Sequence, residues 1–166
     1  MVSAKKSPAL LPAALAACLA YLALDFLIHA SILAQWWSAT EAYWLPPLEL
    51  FQRIPFAYLS FAIYSTVLVW LLVRFLGPKP GLRESLGFGA AAGGLFGIAS
   101  VLAQYSVFPM PASGLLVFPA SVIIGSLGAS AAGASVLSSP RPWRQAIMVL
   151  LIAFAIVVLG VLLQNP

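Results

Sequence analysis

Apolar positions fall into five long runs, at about 8–33, 56–76, 86–108, 114–137 and 144–163, and the short segments between them hold most of the charge. Each run is long enough to cross a bilayer, which takes roughly 20 helical residues. No run alternates apolar and polar residues with a period of two, so the strands of a membrane barrel are not expected. A segment that crosses hydrocarbon alone must satisfy its own backbone, which makes each run a helix. The pattern predicts an all-α integral membrane bundle of five transmembrane helices, forming a single domain over residues 1–166.

The connections are short, with one exception. "GPKPGLRES" (77–85) and "SSPRPW" (138–143) are turn segments rich in Gly, Pro and Ser. "PMPAS" (109–113) is brief enough to make the third and fourth helices a tight hairpin. The exception is "QWWSATEAYWLPPLELFQRIP" (35–55), where Trp36, Trp37, Tyr43 and Trp44 match an interfacial aromatic belt. Part of this loop is expected to lie in the membrane plane as a short helix, broken near Pro46 and Pro47.

Composition agrees with this pattern. Of 166 residues, 63% are hydrophobic and 7% charged, with a mean hydropathy of +1.04. A soluble domain carries about 25% charged residues, so there is too little polar surface here to cover a globule in water. The net charge of +4 is not a nucleic-acid footprint, because the basic residues are scattered at the ends of the apolar runs. There they predict topology instead. Lys5 and Lys6 precede the first helix, Arg74, Lys79 and Arg83 flank the second connection, and Arg141 and Arg144 flank the last. All fall on one side of a five-span bundle, against Arg53, Glu41 and Glu49 on the other. The positive-inside rule then places the N-terminus in and the C-terminus out.

Cys18 is the single cysteine, so no internal disulfide forms. "LAAC" (15–18) after two lysines has the look of a lipoprotein cleavage site, but apolar sequence continues well past Cys18. An uncleaved anchor helix is the expectation.

Helices in lipid are held by small residues that allow close approach and by interhelical hydrogen bonds. Gly89, Gly93 and Gly97 stand at four-residue steps and make one groove along the third helix. Ser121, Gly125, Ala129 and Gly133 repeat the spacing on the fourth. These two faces are expected to pack on each other; the alternative is a seam for a homo-oligomer or a membrane-protein partner. "GAAAGG" lacks the Lys-Ser/Thr ending and preceding strand of a phosphate loop.

Candidate chemistry is concentrated in "DFLIHASILAQWW" (25–37). Asp25 and His29, the only histidine, are four residues apart and share a helix face. At 1.5 Å per residue, Asp25 lies roughly 10 Å inside the membrane boundary. An ionised carboxylate at that depth costs a few kcal/mol unless paired or hydrated, so it should face the bundle or a wet cavity. Tyr58 and Tyr64 of the second helix and Gln104 and Tyr105 of the third belong to the same depth, with Trp36 and Glu41 on the overlying loop. Together they predict a polar pocket opening outward. Its bland reading is packing glue; its functional reading is a ligand or proton site.

Cofactor chemistry finds little support. Asp25, His29 and Glu41 or Glu49 are a thin metal set without a second histidine or a cysteine pair. A haem would have His29 on one side and Met110 or nothing opposite. Neither HExxH nor GxSxG occurs, and no inverted repeat suggests a carrier. The sequence requires no cofactor.

"LDFLIHASIL", "GLRESLGFGAAAGGLFG" and "QYSVFPMP" make the chain resemble a family of small bacterial multi-pass membrane proteins of uncharacterised function, over about residues 20–135. That resemblance implies a fold and no activity. "AYWLPPLELF" with "YLSFAIYSTVLVWLL" is similar to the loop and second helix of the tryptophan-rich sensory (translocator) proteins, five-helix proteins that bind porphyrins and other apolar ligands. The asparagine-tryptophan and proline-tyrosine signatures of that family are missing here. The expected function is an accessory or binding subunit without catalysis of its own, packing against partner proteins or lipid-like ligands. The alternative is an outer-leaflet ligand, metal or proton site on Asp25 and His29, for haem, quinone or transport.

Overall fold

A computed structural model describes residues 9–40, 45–107 and 115–164. Lys5, Lys6, Glu41, Tyr43, Trp44, Met110 and the "PMPAS" connection lie outside the described residues. The chain is helical, and five of its helices are long and apolar enough to cross a membrane. They are α1 (Leu10–Phe26), continued by a π-helical segment (Leu27–Ile32); α3 (Pro47–Leu76); α4 (Leu82–Val107); α5 (Val117–Ser138); and α6 (Pro142–Gln164). A short α2 (Ala34–Ala39) follows the π-helical segment.

Two boundaries differ from the sequence reading, the second for reasons of proline chemistry. The short helix of the long loop is Ala34–Ala39, well before the proline pair. Pro46 and Pro47 do not break a helix but start one. Pro46 is extended (φ −50°, ψ 145°), as a residue before proline prefers, and Pro47 occupies the first turn, where its missing N–H costs nothing. Helix α3 then runs through Pro55 without ending. Its 30 residues make about 45 Å, against a hydrocarbon core of about 30 Å. The first turns therefore stand beyond the hydrocarbon or tilt within it, with the exposed pair Arg53–Glu49 on their surface (3.9 Å).

At its other end α3 stops at Gly77, whose φ of +90° only glycine adopts without strain. Pro78 and Pro80 follow. Ser85 Oγ donates to the Gly81 carbonyl at the start of α4, and Ser138 Oγ donates to the Pro80 carbonyl (3.2 Å). These bonds draw the two short connections together at one end of the bundle, the end that carries Arg74, Lys79, Arg83, Arg141 and Arg144.

Helix α5 is the centre of the molecule. It packs most extensively with α4 on one side and α1 on the other. A methyl group added at Gly89 would lie 2.7 Å from the Ser126 carbonyl, at Gly93 2.8 Å from the Ser126 side chain, and at Gly97 2.9 Å from the Pro119 Cα. The glycine groove of α4 thus holds the Pro119, Ile123, Ser126 and Ser130 face of α5. The Gly125 and Gly133 face looks elsewhere, toward Tyr21 and Ala17 of α1 and Val69 of α3. The expected face-to-face match of the two glycine stripes is corrected here. Ser126 and Gly125, like Ser130 and Ala129, are neighbours in sequence and so about 100° apart around the helix. Small residues on both sides let α5 serve two neighbours at once. The core gathers Ala13, Ala17, Tyr21, Leu68, Leu72, Ala129 and Val136 around it.

Candidate functional site

Asp25 sits in the last turn of α1 and His29 in the π-helical segment that continues it. The wider turn is anchored by Leu33 N–H donating to the Ile28 carbonyl (2.8 Å), five residues back. Such segments displace the ladder locally and recur at functional sites. Here the displacement presents the end of this span to α6. Ser31 Oγ donates to the Gly160 carbonyl (2.9 Å), and Gln164 Nε2 donates to the Ala30 carbonyl. Gly160 leaves the room: a methyl group there would touch Phe26 (3.0 Å) and Ser31 Oγ (3.1 Å).

His29 Nε2 lies 3.5 Å from Asp25 Oδ1, with side chains 17% and 23% exposed respectively. The separation allows a close electrostatic contact rather than a well-formed hydrogen bond. His29 Nδ1 is fully buried and has no hydrogen-bond partner among the described residues. Trp37 packs its edge against the imidazole (5.3 Å between centroids), and Phe118 of α5 lies at 6.4 Å. Trp36 stands against both Trp37 (5.0 Å) and Phe118 (6.0 Å). Helix α2 therefore sets Trp37 against the histidine with Trp36 behind it, and this aromatic cap covers the ring on that side.

The other side of the pair opens into a groove of about 580 Å³ between α1, α3 and α6. Its walls are apolar: Leu22 and Phe26 from α1, Ala153, Phe154 and Val157 from α6. Asp25, His29 and the half-exposed Tyr58 of α3 supply its polar groups. The groove follows α1 from Leu19 to Ala30, about 16 Å along the axis. Asp25 and His29 stand toward the tryptophan end.

The remaining predicted residues go elsewhere. Tyr64 is interior; its hydroxyl hydrogen-bonds Ser126 Oγ (2.7 Å), and its ring stacks on Phe96 (4.8 Å) and meets Tyr21 edge-on (5.6 Å). Gln104 is half-buried and Tyr105 exposed near the end of α4. Neither lines the groove, because α5 lies between α4 and α1. Equal depth in the bilayer did not mean a shared face. Trp36 belongs to the cap, and Glu41 lies outside the described residues. Sequence reasoning missed the whole α6 wall, along with Phe118, Ser31 and Gln164. An apolar run such as "AFAIVVLG" gives no sign of which face lines a groove; the glycine at 160 was the one available hint.

Among the described residues, no group of three His, Cys, Asp or Glu side chains is close enough to hold a metal ion. His29 is also the only ion-pair partner of Asp25 among them. The site thus offers a carboxylate, a largely covered imidazole and a phenol at one end of an apolar trough. That arrangement suits an amphipathic molecule with its polar end toward the tryptophans. No family model, curated protein or solved structure matches the chain, so what the site does has to be read from the groove itself.

Proposed function

We propose that this protein is a non-catalytic binding subunit of a bacterial cytoplasmic membrane that holds a lipid-like ligand in the groove between α1, α3 and α6. The N-terminus is inside and the C-terminus outside, so the polar end of the groove lies in the outer leaflet. The concentration of Arg74, Lys79, Arg83, Arg141 and Arg144 at one end of the bundle supports this orientation. The observation that carries the binding reading is the groove itself. Its volume falls within the range of small-molecule sites, roughly 300–1,000 Å³, and its walls are apolar with a few convergent polar groups. A purely structural Asp25 would need no such space beside it.

The test is native mass spectrometry of the protein released gently from its membrane. One retained amphiphile per protein is expected. Val157→Trp and Leu22→Trp, which fill the groove from opposite walls, should each abolish that retention while the thermal unfolding profile persists. Equal retention by wild type and both filled variants would end the reading.

A further inference from the structure

The groove's charge is unbalanced. Asp25 is an acceptor within a transmembrane span, and its only described ionic neighbour is His29 at 3.5 Å. The described cations stand at helix ends; Arg53 is on α3 beside Glu49, and the others lie at the basic end. The imidazole offers little to a ligand. Nε2 faces Asp25, Nδ1 is buried, and the ring is covered by Trp37 and Phe118. What the groove presents is therefore an acceptor carboxylate above a hydrocarbon trough.

We propose that the occupant is a primary amine carried on a hydrocarbon chain, its ammonium group bound by Asp25 and its chain lying along Leu22, Phe26 and Val157. The proposal rests on the groove being a ligand site, as argued above. An ammonium supplies the cation that a carboxylate at this depth needs, and its N–H groups make charge-assisted hydrogen bonds to it. Tyr58 also lines the groove, and its hydroxyl is the other acceptor there for an N–H. Anionic head groups are disfavoured, because no Lys or Arg among the described residues lines the groove. The same absence separates two sources of the ammonium. Phosphatidylethanolamine brings a phosphate that finds no partner there, whereas a free single-chain amine brings none, and the free amine is the better match.

The experiment uses the full chain in phosphatidylcholine nanodiscs, whose lipids carry no N–H donor. Saturable binding of radiolabelled dodecylamine is measured above that of empty nanodiscs, at matched membrane mole fraction, against dodecanol and dodecyl sulfate. Dodecylamine is expected to bind one per protein, at least tenfold tighter than dodecanol, with no saturable binding of dodecyl sulfate. Asp25→Asn should bring the amine and the alcohol to the same affinity. Comparable wild-type affinity for amine and alcohol would overturn the ammonium assignment while leaving the groove a ligand site. This comparison needs no variant to fold. Absence of saturable binding by any of the three probes would remove the ligand site itself. Replacing half of the lipid with phosphatidylethanolamine identifies the source. Unchanged dodecylamine binding supports the free amine, and displacement overturns the free amine in favour of the bilayer lipid.

Discussion

The hydroxyls of Tyr64 and Ser126 meet at 2.7 Å between α3 and α5, 62 residues apart in the chain. Ser126 Oγ also lies 2.6 Å from the Val122 carbonyl, to which it donates, which leaves Tyr64 as donor to Ser126. The same serine fills the gap over Gly93 of α4. One small side chain therefore joins three helices.

Removing either hydroxyl should weaken the fold modestly. Tyr64→Phe and Ser126→Ala are each expected to cost about 0.6–1.7 kcal/mol, the range of interhelical hydrogen bonds in membranes. The double variant should cost less than the sum, since the two changes remove one shared bond. Reversible unfolding in mixed micelles, read by tryptophan fluorescence, measures all four states; strict additivity would show that the hydroxyls do not interact.

Neighbouring glycines of α4 should respond in opposite ways. At Gly93 an added methyl group would lie 2.9 Å from the Ile123 Cα, a backbone atom that cannot turn aside. Gly93→Ala should force α4 and α5 apart and cost about 1–3 kcal/mol. At Gly94 nothing lies within 4 Å. Gly94→Ala should be neutral, or stabilising by up to about 1 kcal/mol through helix propensity. The comparison uses one chemistry at adjacent positions, so thermal unfolding of the two variants isolates the packing seam. Equal effects would place the seam elsewhere.

The proposed orientation predicts a labelling pattern. With Cys18 changed to Ala, single cysteines at Lys79 and Ser139 should react with a membrane-impermeant maleimide only after the cell is opened. A cysteine at Ser38, in the exposed part of α2, should react in intact cells. The reverse pattern would invert the topology and move the polar end of the groove to the inner leaflet.

The five-helix architecture was readable because lipid imposes a simple rule: a span is a long apolar run, and its length is set by the bilayer. The Asp25–His29 pair was readable for a similar reason, since charge in such a run stands out. Partner choice was not readable. The small-residue stripes at Gly89–Gly97 and Gly125–Gly133 mark surfaces that can approach closely, but they do not encode which helix approaches. Small residues cover more than one face of α5, so a second, equally serviceable face begins only about 100° away. Gln104 and Tyr105 show the same gap, because hydropathy gives depth along the bilayer normal and is blind to rotation about it. Pro46 and Pro47 misled through position, since proline is a breaker in mid-helix but welcome at a helix start.

The clasp of Ser31 on Gly160 spans 129 residues. A ribosome adding roughly 5–20 residues per second needs about 6–26 s to make that stretch. During that interval the newborn first span has its carboxylate in place while the wall of α6 does not yet exist. Asp25 has only His29 of its own span beside it until α6 arrives. The groove is therefore completed last, because one of its walls is the helix made last.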